Sequence, residues 1–490
     1  MKARMLLLLS VISLFQITSS YRAQQLNAEG VSLMKLGRPA EAESRLRQAV
    51  QADPNNIDAT VNLGVALFKQ GRFADSIPFF QRGVSARPRE ASVHNNLAQA
   101  YVRAGQPHAA AVEMAQACDL SPQNDGYRRD LGDMLSEAGD RSGAEKQLRL
   151  ALKLNPASPE TNLSLARLFV KEDRRGEAAR YYRASLGLKP LQVEARRELG
   201  ELCSVSGDFM AAVHEFRRAL ELDPTNARLR QDLGNALLRA GNLAEAEPEL
   251  RRAVRLDPSL GAAHRDLGLV LRGKGDNESA LMELRRASEL MPAESSVHYM
   301  LSQTLGKLGK RQEAQQEAET AEGLGRKEKE TSLAIAYAQQ GLFLIQQGKP
   351  QEALAKLQEA RRMGPDNLGV QFDYAVGLRQ LHRFDESIVE LEKILQKQPD
   401  LPGAHYQLGC NYFQKGRFGE AVTAFADAAR LIPGTAEVHN GLGVALAKSN
   451  DYARAVAELE MAHRLESGNK LYIKNLNCVR QRLSGCTVSL

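Results

Sequence analysis

The amino-acid sequence predicts an all-α protein made of consecutive helical hairpins. Prolines recur every 34 residues from Pro54 to Pro292, and the same step runs from Pro365 to Pro433. Glycines recur with the same period, in the middle of each unit and seven residues earlier. Between these residues the apolar side chains are spaced three and four residues apart, which places them on one face of a helix. Regular helix-breaking residues between apolar stripes therefore favour a repeat of two antiparallel helices.

Residues 227–258 show one unit most clearly. The first helix carries an apolar stripe formed by Leu229, Leu233, Ala236, Leu237 and Ala240. Gly241 then ends the run, as a glycine just beyond a helix C-terminus commonly does. A second stripe is formed by Leu243, Ala246, Leu250, Ala253 and Leu256, and Pro258 ends it because proline cannot continue a helix interior. Gly234 and Ala246 lie where the two helices should cross, and small residues there allow close approach.

The unit resembles the tetratricopeptide repeat family, whose motif has the same period of 34 and small residues, glycine, alanine and proline at these positions. The resemblance implies a right-handed superhelical solenoid of about 13 helix-turn-helix repeats with a C-terminal capping helix. The chain departs from the family pattern in having no Trp. Its fourth position often holds another ring instead, namely His94, His264, His298, Tyr337, His405 or His439. Asp173, His382 and Asn450 stand where other copies have the turn glycine.

We number the positions of each copy from its first residue, so that the closing proline is position 32. The copies begin at Ala23, Ile57, Ala91, Asp125, Pro159, Val193, Ala227, Gly261, Ser295, Ala334, Leu368, Pro402 and Ala436. Copies 1 to 9 thus occupy residues 23–326, and copies 10 to 13 occupy residues 334–469. The amphipathic residues 470–483 are expected to form the capping helix, followed by a tail of residues 484–490.

The copies are interrupted once. Pro292 and Pro365 lie 73 residues apart, which is two periods plus five, and position 32 of copy 9 is Arg326 rather than proline. A charged insertion at residues 327–333 therefore separates copy 9 from copy 10. This insertion predicts either a hinge or one lengthened helix.

Residues 1–20 differ from the repeats. Lys2 and Arg4 precede an apolar run from Met5 to Phe15, which is typical of a secretory signal peptide. The run is too short to span a bilayer comfortably. We therefore expect an exported protein, periplasmic or secreted. The alternatives are an uncleaved anchor and a frayed apolar start.

Cysteine usage and charge narrow the possible functions. Cys203 and Cys410 fall in apolar stripes and should be core thiols, whereas Cys478 and Cys486 are close enough in sequence to form a disulfide or to remain two free thiols. No cysteine or histidine spacing indicates a metal site. The net charge of +6 is mild for 490 residues, and no basic run indicates nucleic-acid binding. The fourth-position histidines favour packing over metal ligation.

The family resemblance also implies a binding groove along the first helices. Positions 2, 5, 6 and 9 should face it, and we call these positions the inner face. The candidate peptide-binding residues are Asn62, Asn96, Arg129, Asp130, Arg197, Glu198, Asp232, Arg265, Asp266, Tyr299, Phe372 and Tyr406. Amides and charges would bond the backbone of an extended peptide, and the aromatic rings would receive apolar side chains. The alternative is that adjacent Arg and acidic side chains only satisfy one another.

No catalytic motif is recognisable. The sequence lacks the phosphate-binding G-x-x-x-x-G-K, the H-E-x-x-H and the G-x-S-x-G patterns, and the repeats leave no room for a separate catalytic domain. The sequence thus predicts an exported, non-catalytic scaffold that binds a protein or extended peptide without a cofactor, with no nucleic-acid partner and no transmembrane segment beyond the signal. One alternative is an adaptor for a separately encoded polysaccharide-processing or secretion enzyme. Another is an enzyme with an unrecognised active site in the groove.

Overall fold

A computed structural model describes residues 2–432, 435–466, 468–481 and 488, with side chains described from residue 19 onward. The described residues form α-helices joined by short turns, and they contain no β-strand. The chain divides into two compact units. One unit comprises Met1–Pro156 and Asp400–Leu490, and the other comprises Ala157–Pro399.

The helices are numbered in chain order. The first eight are α1 Lys2–Lys35, α2 Pro39–Ala52, α3 Ile57–Lys69, α4 Phe73–Ala86, α5 Ala91–Arg103, α6 Pro107–Leu120, α7 Asp125–Glu137 and α8 Arg141–Leu154. The second unit contains α9 Pro159–Lys171, α10 Arg175–Leu188, α11 Val193–Val205, α12 Phe209–Leu222, α13 Ala227–Arg239, α14 Leu243–Leu256, α15 Gly261–Gly273, α16 Asn277–Leu290, α17 Ser295–Lys307, α18 Arg311–Gln346, α19 Pro350–Met363, α20 Leu368–Gln380 and α21 Phe384–Lys397. The last five are α22 Pro402–Gln414, α23 Phe418–Leu431, α24 Ala436–Lys448, α25 Tyr452–Leu465 and α26 Lys470–Gln481.

Local signals explain where these helices begin and end. The side chain of Asn226 caps α13 by accepting a hydrogen bond from the backbone N–H of Leu229 at 3.1 Å. At the turn after α13, Gly241 adopts a positive φ of 81°, the left-handed conformation in which helices commonly end. Asp173, His382 and Asn450 adopt the same conformation at φ 57°, 60° and 67°. The hairpin therefore imposes this backbone geometry even where the residue is not glycine.

The two helices of a hairpin cross at the small residues. A Cβ on Gly234 would overlap the side chain of Leu250 on the second helix, and Ala246 is fully buried beside it. Gly132 faces Leu148 in the same way, and Gly200 faces the ring of Phe216. Position 8 is therefore small because the side chain at position 24 fills the space next to it. The two helices of the hairpin can then pack closely along their apolar stripes.

The fourth-position side chains do more than pack. In His94, Nδ1 lies 2.7 Å from the carboxylate of Glu113 and Nε2 lies 3.1 Å from the carbonyl oxygen of Pro88. Both partners are acceptors, so the protonated ring can donate to both, and the hydrogen bond with Glu113 raises the pKa of His94 against the opposing effect of burial. Equivalent pairs of contacts are made by Arg128, Arg196, Arg230, His264 and His298.

We call this device the position-4 bridge. It joins position 4 to position 23 on the second helix of the same copy, and also to the carbonyl oxygen of the proline that closes the preceding copy. The prediction of packing was thus incomplete, because the ring or guanidinium also holds two consecutive copies together. Among the described residues, no group of three or more His, Cys, Asp or Glu side chains is placed to hold a metal ion.

One helix spans the interruption of the repeats. The second helix of copy 9, the insertion at 327–333 and the first helix of copy 10 are continuous in α18, which has 36 residues. The structure therefore has one lengthened helix at this place. The physical reason is that residues 311–346 contain no proline. Gly323 and Gly325 are the weak helix formers near the insertion, and each costs only about 1 kcal/mol relative to alanine.

Three further predictions concern helix α1, the capping helix and the cysteines. Helix α1 runs through the predicted boundary at residue 20, and no helix in the described part of the chain is both long and apolar enough to cross a membrane. Helix α26 occupies the predicted cap as far as Gln481. Cys478 is buried on α26, but Cys486 lies outside the described residues, so their disulfide stays a prediction. Cys118, Cys203 and Cys410 are buried and form no disulfide.

Candidate functional site

In the second unit, the first helices of consecutive copies lie side by side. Helix α13 contacts both α11 and α15, so their inner-face positions form one surface. This surface contains five of the predicted site residues, namely Arg197, Glu198, Asp232, Arg265 and Asp266. The repeat brings them together because they occupy position 5 or position 6 of consecutive first helices, and these positions lie side by side.

Asp266 is fully bonded. Its side chain is only 1% exposed, and the amides of Gln231 and Asn235 donate to its Oδ2 at 2.7 and 3.0 Å. Arg265 donates to Oδ1 at 2.9 Å. Three donors therefore compensate the burial of this carboxylate.

The bonds from Gln231 and Asn235 have counterparts in several other copies. In these copies, a side chain at position 5 or position 9 is hydrogen-bonded to the position-6 side chain of the next copy, and we call such a bond a rung. Rungs join Asn27 to Asn62, Gln99 to Asp130, Arg167 to Glu198, and Asn440 to Asn475 at 2.7 to 3.1 Å. The last rung ends on α26, so the capping helix packs as one more first helix would.

Asp232 lacks such a rung within the described part of the chain. Its Oδ2 is buried and has no hydrogen-bond partner among the described residues. Position 9 of the preceding copy is Glu201, which is an acceptor and cannot form the rung. Arg197 at position 5 is engaged elsewhere, because it donates to Glu194 at 2.6 Å and also to Glu201.

The electrostatic surroundings of Asp232 reflect this arrangement. Burial raises the pKa of Asp232 to about 6, and the nearby charge of Glu201 acts in the same direction. The opposite charges of Arg197 and Arg228 lower it only in part. Asp232 is therefore a carboxylate with one unsatisfied oxygen, and it is only partly stabilised in its charged form.

The other predicted residues are polar residues of the first unit and aromatic residues of later copies. Arg129 pairs with the adjacent Asp130 at 2.7 Å, as the alternative of mutual satisfaction predicts, and Asn96 is half-buried on α5. Among the aromatic residues, Tyr299 is 56% exposed and Phe372 is half-buried. The hydroxyl of Tyr406 donates to Glu437 at 2.6 Å, and burial raises its pKa.

Sequence reasoning missed the distinction between Asp232 and Asp266. Both are aspartates at position 6, and each follows a regular copy of the repeat. The signal that separates them is the residue 31 positions earlier, which is Glu201 for Asp232 and Asn235 for Asp266. That spacing becomes meaningful only once the rung geometry is known.

The chain was compared with known sequences and structures. The family described as the C-terminal domain of cilia and flagella-associated protein 70 matches residues 16–267, just over half of the 490-residue chain. Two tetratricopeptide-repeat families match residues 344–408 and 406–469. No curated protein sequence matches the chain.

Similar solved structures include YrrB, described as a tetratricopeptide-repeat protein with an unusual peptide-binding site. It is 20% identical with a TM-score of 0.34, over 36% of this chain and 92% of YrrB. MamA from Desulfovibrio magneticus RS-1 is 22% identical with a TM-score of 0.33, over 34% of this chain and 95% of its own. The tetratricopeptide-repeat domain of P58(IPK) is 19% identical with a TM-score of 0.26, over 81% of this chain and 99% of its own.

These structural likenesses concern the fold alone. The sequence matches cover most of the helical hairpins, and the matched segments carry the glycine, alanine and proline positions on which the hairpins depend. The predicted family is therefore confirmed: the chain belongs to the tetratricopeptide repeat family.

Proposed function

We propose that the protein is a non-catalytic scaffold that binds a protein or extended peptide along the inner face of its first helices, with Asp232 as the anchoring acceptor. The observation that carries this proposal is that the buried Oδ2 of Asp232 has no hydrogen-bond partner among the described residues, whereas the position-6 carboxylates of the copies before and after it, Glu198 and Asp266, are bonded. A buried carboxylate oxygen without a donor is costly, roughly 1–3 kcal/mol or more. A donor group from a partner would recover that cost on binding.

The surroundings of Asp232 define the partner chemistry. Glu194 and Glu201 lie on the preceding first helix and are held there by Arg197, so a donor reaching Asp232 would meet further acceptors on that side. A lysine side chain or a backbone amide of an extended peptide supplies such donors. Exposed Tyr299, in the copy that follows that of Asp266, offers an aromatic surface for an apolar side chain of a partner.

The first test is affinity capture from the native compartment, followed by binding measurements with the captured partner. We expect Asp232→Asn to weaken binding at least tenfold, because the amide replaces a charged acceptor, while its melting temperature is unchanged or higher because a buried charge is removed. Glu221→Gln on the second helix α12, an exposed carboxylate, is the matched control. The proposal fails if Asp232→Asn and the combined replacement of Arg197, Asp232 and Arg265 both leave capture unaffected.

The same binding assay should depend on pH. The raised pKa of about 6 means that Asp232 is charged above that value and protonated below it. Capture through Asp232 should therefore weaken as the pH falls from 7.5 to 5. Asp232→Asn should remove that component of the pH dependence.

We further propose that the scaffold works after export, on the strength of the basic residues and apolar run within residues 1–20. Cell fractionation of the full chain and of a variant lacking residues 1–20 tests this. Equal distribution of both forms between compartments would contradict it.

A further inference from the structure

The junction between copies 7 and 8 shows how consecutive copies normally pack. Helix α15 lies against both α13 and α14. Its positions 3, 7 and 10 are Ala263, Leu267 and Val270, and each is at most 2% exposed. The preceding hairpin therefore covers this face of a first helix completely.

The first helix of copy 10 has the same face, but it is uncovered. Positions 3 and 7, Ala336 and Gln340, are exposed, and Phe343 at position 10 is 57% exposed. Leu333, one turn earlier, is also exposed. We call these four residues the open face. They are uncovered because the preceding second helix is the first half of α18 itself, and one continuous helix cannot pack against itself.

The surface against which such a first helix would normally pack is also exposed. A groove with a cavity volume of about 640 Å³ lies between α17 and the first half of α18. Ser296 and Tyr299 line it from α17, and Ala318 and Ala321 line it from α18. We call it the α17–α18 groove. In the regular junction, the next first helix lies between the two preceding helices at this place.

We propose that a second copy of this chain completes both surfaces. The open face of each molecule would pack in the α17–α18 groove of the other, and the two α18 helices would run antiparallel about a two-fold axis near residue 329. The arrangement is reciprocal, as in domain swapping, because each molecule supplies the same two surfaces. The occupant is argued from the chain itself, since the open face is the surface that fills such a groove at other junctions.

The regular copies fix the register of this contact. A Cβ on Gly83, at position 27, would lie 2.8 Å from Val93 at position 3 of the next copy. The same relation places Ala321 of one molecule opposite Ala336 of the other. Positions 24 and 10 are likewise opposite, since a Cβ on Gly377 would overlap Leu357, so Ala318 would face the second molecule's Phe343.

The charged insertion lies at the centre of this contact. The pair Ala321 and Ala336 and the pair Ala318 and Phe343 place the two-fold axis between residues 328 and 331. Residues 327–330 alternate Lys, Glu, Lys and Glu, so each molecule presents both signs of charge to the same segment of the other.

Cysteine cross-linking gives the sharpest test. Ala321 and Ala336 are 15 residues apart on one helix, or roughly 22 Å at 1.5 Å per residue. This is too far for a disulfide within one molecule, which requires Cα atoms about 4.4–6.8 Å apart. We expect the double variant Ala321→Cys/Ala336→Cys to form a covalent dimer on mild oxidation. Each single variant should remain mostly uncrosslinked, and these controls also report any reaction with the native cysteines.

Sedimentation of the full chain provides a second measurement. The unmodified protein should sediment as a dimer, and Phe343→Glu should weaken dimerisation at least tenfold with unchanged helical circular dichroism. Val389→Glu, which alters an exposed apolar residue on α21, should leave the dimer intact. A monomer at tens of micromolar without specific cross-linking would overturn the proposal. So would a dimer that resists Phe343→Glu, or capture of a different protein's helix on the open face of a monomer.

Discussion

The junction between copies 7 and 8 and the segment from α17 to α19 are built from the same repeat, yet they pack differently. At the regular junction, Pro258 ends α14 and lets α15 turn back against it. At the corresponding place in copy 9 stands Arg326, and α18 continues without a turn. The comparison teaches that the closing proline does more than end a helix. It determines whether one copy can cover the next.

The position-4 bridge differs between the same two regions. His264 reaches both Glu283 and the carbonyl oxygen of Pro258. In copy 10 the equivalent residues are Tyr337 and Lys356, whose ammonium lies 4.2 Å from the centre of the tyrosine ring. Losing the proline therefore coincides with replacing a hydrogen-bonded bridge between copies by a contact within one copy.

The largest difference between the regions should appear at position 8. Gly234→Leu forces a side chain into Leu250 and should lower the free energy of unfolding by about 3 kcal/mol, since overpacking has no room to relax. Ser302→Leu at the same position of copy 9 faces Ala318 and lines the α17–α18 groove, so it should cost less than about 1 kcal/mol. Chemical denaturation measures both. Equal losses would contradict the difference in packing.

Position 10 should give the next largest effect. Val270→Ala removes fully buried atoms and should cost about 2 kcal/mol through lost burial and the cavity left behind. Phe343→Ala removes a largely exposed ring and should cost less than about 0.5 kcal/mol. Both should be measured at concentrations low enough to keep the chain monomeric. A large loss for Phe343→Ala under those conditions would show that its face is already covered.

The charge on the position-4 bridge can be tested through pH. The folded-state pKa of His94 is raised above its usual value of 6.5. Its stabilising contribution, about 1.5 kcal/mol for a charge-assisted bond, should be fully present below pH 6.5 and lost as the pH rises through the raised pKa. His94→Arg should keep the contribution at all these pH values, as Arg196 and Arg230 do. Identical pH profiles for both proteins would refute the bridge as an ionic contact.

The smallest expected effect is a gain of stability within α18. Gly323 has no other atom within 4 Å of where its Cβ would be. Gly323→Ala should therefore stabilise the chain by about 0.5–1 kcal/mol through helix propensity alone. Thermal unfolding measures the change. A loss instead would indicate that the middle of α18 must bend.

Much of the architecture was predictable because the same sequence pattern recurs in many copies. The period of Pro54 to Pro292 defines the hairpins, and the gap before Pro365 locates the interruption. The choice between a hinge and one helix could not be made from the gap, because it depends on whether the helix continues through Gly323 and Gly325 more favourably than it turns.

The candidate site was predictable only as a surface. Position 6 identified both Asp232 and Asp266, but their different states follow from residues of the neighbouring helix, Glu201 and Asn235. The position-4 bridge had a visible signal in the 19-residue spacing from His94 to Glu113 and from His264 to Glu283. The contact with a proline carbonyl had none, since a backbone oxygen leaves no trace in the sequence.

The unbroken helix α18 also has a thermodynamic consequence. In repeat proteins, each copy gains stability from its nearest neighbours, and this coupling makes the copies unfold together. Between copies 9 and 10 that coupling is reduced to the propagation of one helix, which is weak compared with buried side-chain packing. The copies on either side should therefore melt as separate cooperative blocks in dilute solution, with a calorimetric enthalpy larger than the van't Hoff value.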